Sequence, residues 1–163
     1  SGRKLQYFDP ERNETYVPYV VETSIGLDRM FLALFSHCLK NEVLEDGSER
    51  VVLALPPALA PVKAAILPLV KKDGLPELAE KIFNDLKYDF NIISEEKDSI
   101  GKRYRRQDAI GTPFCITVDH DSLADGTVTL RERDTMKQER VKIEDLRKII
   151  DDKVNFRTLL SKI

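Results

Sequence analysis

Tryptophan is absent from the 163 residues, and histidine and cysteine occur only twice each. Cys38 and Cys115 lie far apart and show no Cys-x-x-Cys spacing, so the chain has neither a zinc ribbon nor a disulfide framework. Both fall inside apolar runs, where a free thiol packs as a small hydrophobe, and both read as buried thiols of a reducing compartment. His37 and His120 have no partners at metal-ligand or triad spacing; the first reads as a structural side chain on a helix and the second as a solvated one in a loop. No Walker loop, zinc signature or nucleophile motif occurs, and no metal site is expected. Uncharged apolar runs of membrane-spanning length are missing, as is a basic start leading into an apolar signal core, so a soluble, cytoplasmic protein with no membrane partner is the expectation. An excess of charge is missing too. With 26 Lys+Arg against 28 Asp+Glu the formal charge is -2, so any nucleic-acid surface has to be a local patch. The length fits one domain, or one domain with a piece of another. The chain opens on Ser1-Gly2 without an initiating Met, as expected of a piece of a longer protein.

Residues 16–24, YVPYVVETS, are rich in β-branched and aromatic side chains and are broken by Gly26, which predicts a strand and a turn. A helix is expected over 28–40, where Met30, Phe31, Leu32, Leu34, Phe35, Cys38 and Leu39 cover most of the circumference, the pattern of a helix buried on several sides. The polar, turn-rich stretch 41–50 is the natural boundary, placing one domain at 1–45 and a second at 46–163. In the second, strands are expected at 51–55, 62–70, 90–93 and 113–119, with Pro68 marking an edge or a bulge. Helices are expected at 76–88 and 99–110, the first with Pro76 in its opening turn and the second with Ser99 as N-cap. An alternating segment, 127–133, and another at 140–143 predict an added hairpin, and 144–150 predicts a last helix. The fold class is α/β: a mixed, mostly parallel five-stranded sheet with about three packed helices, preceded by a strand-helix remnant of another domain.

Two stretches carry chemistry. In PYVVETSIGLDR, Pro18–Arg29, a strand passes through a glycine turn into a helix opening on Asp28-Arg29. A permanently charged, planar guanidinium there suits phosphate oxygens and a purine face better than a lysine does. Further on, Lys102, Arg103, Arg105 and Arg106 share one helix with Tyr104, and Arg131 and Arg133 share one strand face. Such a group neutralises phosphates and stacks on or hydrogen-bonds unpaired bases; the alternative for the same residues is a salt-bridged, solvated helix face.

The string Glu-x-Ser-x-Gly-Leu-Asp-Arg at residues 22–29 resembles motif 3 of class II aminoacyl-tRNA synthetases in its glycyl form. The strings SIGKRYRRQDAIGTPFCITVD, 99–119, and TVTLRERDTMKQERV, 127–141, resemble the anticodon-binding domain shared by glycyl, threonyl, prolyl and histidyl enzymes. That resemblance implies ATP contacts at Gly26, Leu27, Asp28 and Arg29, and a glycine site built from Glu22, Thr23, Ser24, Ile25 and Gly26. It also implies anticodon contacts among Lys102, Arg103, Arg106, Arg131 and Arg133. Thr23 stands where many relatives have proline, and Ala109 where relatives often have an acidic residue, so position 109 is assigned no contact. The parent protein implied is a glycine-tRNA ligase, a cytoplasmic homodimer using glycine, ATP with Mg2+ and glycine tRNA. This piece lacks the other two class II motifs, is expected to be inactive alone, and is expected to hold no cofactor. The other readings are a prolyl or threonyl enzyme, and a non-catalytic synthetase-like nucleic-acid-binding module. The strings at 22–29 and 127–136 argue against the first, and intact Glu22, Ser24 and Arg29 against the second.

Overall fold

Asp9 and Asn13 close the first turn of the chain. Strands β1, Tyr7–Asp9, and β2, Glu14–Tyr16, pair antiparallel. The Asp9 carboxylate accepts from the backbone N–H groups of Glu11 and Arg12, and Asn13 takes a left-handed conformation, φ 49°, which its short amide side chain tolerates. The computed structural model describes residues 2–161, and the chain divides into two compact units at Phe31/Leu32. In the first unit the expected strand over 16–24 does not form. Tyr16 ends β2, and residues 17–26 have no regular structure. Tyr19, Val20 and Val21, whose side chains favour a strand, are almost fully exposed; β-propensity is realised by cross-strand neighbours and a covered face, and the strand pairings among the described residues leave this segment out.

Helix α1 spans Leu27–Cys38, with Asp28 in its first turn and His37 in its last, each suited to the helix dipole. It ends two residues earlier than expected, because Leu39 and Lys40 open a strand. Its apolar circumference is largely uncovered within this chain: Phe31, Leu34 and Phe35 are 67%, 37% and 38% exposed, and Cys38 alone is buried.

In the second unit, the stretch expected as a polar boundary is a hairpin. Strands β3, Leu39–Val43, and β4, Glu49–Leu53, pair in register around a turn at 44–48. There Asp46 accepts from the Ser48 N–H at 2.9 Å and hydroxyl at 2.7 Å, and Gly47 supplies φ 78°. The expected division after residue 45 lies in this turn.

A five-stranded sheet follows, in the order β6-β5-β7-β8-β9. The first of its elements in the chain are β5, Ala64–Pro68, helix α2, Leu75–Leu86, and β6, Ile92–Ser94. Helix α3, Ile100–Ile110, leads to β7, Phe114–Val118, and the short α4, His120–Asp125, leads to β8, Thr127–Glu132. Strand β9, Gln138–Lys142, a 3-10 turn, α5, Leu146–Val154, and α6, Phe156–Leu160, complete it. Two pairings are parallel and two antiparallel, so the sheet is evenly mixed rather than mostly parallel. Pro68 sits at the end of a central strand, opposite Val118, where β6 has already stopped opposite Ile66. The missing N–H therefore falls where the ladder is one-sided.

Alternation along each strand sorts the two faces. Ala64, Ile66, Phe114, Ile116, Val128 and Leu130 pack under α2 and α5, which contribute Leu75, Ala79, Ile82, Leu86, Leu146 and Ile150 at helical spacing. Each large aliphatic chain buried there stabilises the fold by about 1.5–3 kcal/mol. The opposite face presents Ala65, Leu67 and Cys115 to Ile100 and Tyr104 of α3. Two short helices were not foreseen. Asp119 and Ser122 form a reciprocal capping box that starts α4, and the Asn155 side chain caps α6. Ser99 does occupy the N-cap position of α3, but its side chain makes no capping bond.

Gly111 ends α3 at φ 86°, and a Cβ there would lie 3.0 Å from the Leu53 carbonyl oxygen of β4. Gly111→Ala is expected to cost more than about 1 kcal/mol, from the left-handed backbone and this close approach together. Urea unfolding checks it, and an unchanged midpoint would show that α3 does not rest on β4.

Candidate nucleic-acid interface

A helix turns about 100° per residue, so the run Lys102-Arg103-Tyr104-Arg105-Arg106 cannot present one basic face. Arg103 points inward. It is 2% exposed, and its guanidinium donates to the carbonyls of Pro68 at 2.7 Å, Glu95 at 3.1 Å and Leu69 at 3.3 Å. It thereby satisfies the ends of β5 and β6, and burial pulls its pKa down from the ordinary value. Tyr104 also faces the sheet, with its hydroxyl 2.6 Å from the Thr117 hydroxyl. Burial pushes the phenol up, against the pull of that hydrogen bond. Arg106 is held by Glu95 at 2.7 Å and Asp98 at 2.9 Å, and these two hydrogen bonds raise its pKa. Lys102 is exposed, and Arg105 reaches the β3–β4 turn, 3.3 Å from the Ser48 hydroxyl.

The two strand arginines are buried as well. Arg131 donates through both terminal nitrogens to Asp108, at 2.8 and 2.9 Å, and lies 4.8 Å from the centroid of the Tyr104 ring. Its burial disfavours the charge, but the Asp108 carboxylate outweighs that and holds its pKa up. Asp108 is completely inaccessible and takes a second cation, Arg50 of β4, at 3.2 Å. Arg50 in turn donates to Glu42 and to the Arg133 carbonyl. Arg133 gives its guanidinium to the carbonyls of Gly111 and Leu55, at 2.8 and 2.7 Å, and to Asp134. Arg103, Arg131 and Arg133 thus have protein acceptors and little solvent contact, while Lys102 is exposed and Arg105 is half-buried, its guanidinium donating to the Ser48 hydroxyl.

Residues 22–29 are not gathered into a pocket. Glu22, Thr23, Ser24, Ile25 and Gly26 lie in the irregular segment, Leu27, Asp28 and Arg29 form the first turn of α1, and all eight are exposed. Among the described residues no group of three or more His, Cys, Asp or Glu side chains has metal-binding geometry, and no helix is long and apolar enough to cross a membrane.

The profile of the Anticodon binding domain family matches residues 63–153, more than half of the chain. This chain belongs to that family. It is 54% identical over 160 residues to a glycine-tRNA ligase of Clostridium perfringens and 55% identical over 141 residues to one of Chlorobaculum tepidum. The alignments cover 96% and 86% of this chain, and the chain spans about a third of the length of these curated relatives, 34% and 30%. Among solved structures it resembles the RNA binding domain of a threonyl-tRNA synthetase from Cryptosporidium parvum, with TM-score 0.56, 23% identity, and coverage of 61% of this chain and 25% of that one. A prolyl-tRNA synthetase of the same organism gives TM-score 0.58 at 17% identity, covering 75% and 32%. At such identities the likeness concerns the fold alone.

The residues that organise this anticodon-binding domain were not singled out in the sequence. Asp108 is one acidic residue beside three arginines, and nothing in its spacing marks it. The alternation places Arg131 and Arg133 on the face opposite Val128 and Leu130, which reads as open; α3 covers that face and brings Asp108, its acidic residue, to Arg131. Arg50 lies in the stretch expected as a polar boundary, where a charged residue calls for no buried partner.

Two outcomes follow for the domain. Asp108→Ala strands two buried guanidiniums and should cost about 3–5 kcal/mol in chemical denaturation. A loss below 1 kcal/mol would mean water already solvates the pair. Burial pushes the Cys115 thiol up to about 12. The folded state then holds a proton that the unfolded chain releases from about pH 8.5. Stability should therefore fall as pH rises through that window, and Cys115 should resist thiol reagents at pH 8 until the domain unfolds. Rapid labelling of the folded chain would contradict this.

Proposed function

We propose that this chain is the C-terminal third of a glycine-tRNA ligase and binds the anticodon arm of glycine tRNA. The observation that carries the reading is the similarity to glycine-tRNA ligases along nearly the whole chain. The whole protein would activate glycine with ATP and Mg2+ as glycyl-adenylate and pass the glycine to the terminal ribose of the tRNA, as a cytoplasmic homodimer. Here the anticodon-binding domain supplies affinity and discrimination. Glycine anticodons share two cytosines, whose exocyclic amine seeks an acceptor and whose ring atoms seek donors, so carboxylate and guanidinium side chains together suit them.

Exposed Lys102 and half-buried Arg105 are the cations of α3 outside any ion pair among the described residues, so the RNA contact is kept at Lys102 and moves to Arg105 from Arg103, Arg131 and Arg133; Arg106 contributes less, being held by Glu95 and Asp98. Glu22–Arg29 would take the glycine and ATP roles once a catalytic sheet lies beside them. Exposed Met30, Leu32 and Leu34 on α1 fit a helix whose cover lies elsewhere in the longer protein.

Fluorescence anisotropy with a glycine tRNA anticodon stem-loop tests the RNA role. Lys102→Glu with Arg105→Glu should weaken binding and lower the log–log salt slope by about 1–2, since fewer phosphates are neutralised. Binding as tight as the parent chain's at low and moderate salt would refute it. In the longer protein, Arg29→Ala should depress glycine-dependent pyrophosphate exchange while leaving stem-loop affinity unchanged. Unaltered exchange would remove the ATP assignment.

A further inference from the structure

The β3–β4 hairpin lies outside residues 63–153, the part matched to the anticodon-binding family, yet it is fastened along α3 at three successive levels. Ser48 meets Arg105 at 3.3 Å. Arg50 meets Asp108 at 3.2 Å, and Leu53 presses on Gly111, where a Cβ would stand 3.0 Å from its carbonyl. Residues 105, 108 and 111 are about one helical turn apart, so β4 runs beside a single stripe of the helix. Arg50 cannot drift from that stripe. Its side chain is 1% exposed, and it also donates to Glu42 of β3 and to the Arg133 carbonyl. The tip of the hairpin is polar and ordered by its own hydrogen bonds, with Asp46 accepting twice from Ser48. Those bonds first, and the nearby Arg105 charge with them, hold the Asp46 carboxyl below its usual range.

From this placement we infer that the hairpin is a working part of the RNA interface: Ser48, carried on a hairpin that Arg50 locks to α3, is a positioning residue that holds the Arg105 guanidinium toward a phosphate. A long, rotamer-rich side chain loses less freedom on binding when one donor is already anchored. The inference rests on the RNA-binding reading above and names the element that prepares its cation.

A double-mutant cycle on this chain, read by anisotropy with the glycine tRNA anticodon stem-loop, tests it. Ser48→Ala should weaken binding about two- to fivefold, the scale of one hydrogen bond, with an unchanged melting temperature, because the Asp46 bond to the Ser48 N–H keeps the turn. In an Arg105→Ala background the same Ser48→Ala change should have no effect. Equal effects of Ser48→Ala in both backgrounds, or none in the parent, would overturn the positioning role. No binding by the parent chain at all would instead overturn the proposed function, and the inference with it.

Discussion

One buried carboxylate, Asp108, sits between two guanidiniums, and most of the second unit is arranged to make that possible. Arg131 reaches it from the sheet and Arg50 from the hairpin, with Glu42 supplying a second negative charge at the rim. A well-packed apolar cluster would stabilise the fold as much or more, since taking such ions out of water costs several kcal/mol each. What the ions add is geometry. A bidentate pair fixes distance and plane, so α3 is held at one height over β8 and β4 at one height along α3. The Arg131 guanidinium also faces the Tyr104 ring, and that ring hydroxyl meets Thr117. A single helix is thereby fixed to β4, β7 and β8.

That constraint decides which of the candidate cations the fold itself uses. Six cations were candidates because composition and spacing report charge, not direction. Three of them, Arg103, Arg131 and Arg133, serve backbone carbonyls and buried acids, and a helical wheel alone does not reveal that carbonyls at the ends of β5 and β6 point at residue 103. Lys102 and Arg105 look the same in sequence and end up exposed and half-buried, outside any ion pair among the described residues. The rule that a buried charge must be paired does not narrow the choice from sequence, because the face of β8 expected to be covered is that of Val128 and Leu130, and Arg131 lies on the other.

The fold was legible where periodicity was strong. Helix α2, the apolar runs of β5 and β7, and the alternation in β8 appear within a residue or two of expectation. The strand-helix-strand order and the alternating hairpin gave a mixed sheet, though not its even balance of parallel and antiparallel pairs. The failures have a common cause. Residues 16–24 carry strand-forming side chains, but a strand is a property of a pair, and the described residues hold no partner for it. The segment 41–50 has loop composition and is nevertheless a hairpin, because Glu42 and Arg50 meet across it. Helices α4 and α6 are too short to show a period, and only their caps, Asp119 with Ser122 and Asn155, announce them.

The central claim is a division of labour among the arginines, with the buried ones holding the fold and the outward ones meeting RNA. Nitrogen-detected NMR of the guanidinium groups, with and without a glycine tRNA anticodon stem-loop, addresses it residue by residue. The account predicts that the Arg105 resonance shifts on binding while those of Arg50, Arg103, Arg131 and Arg133 stay in place. Shifts confined to the buried four, with Arg105 unmoved, would contradict it.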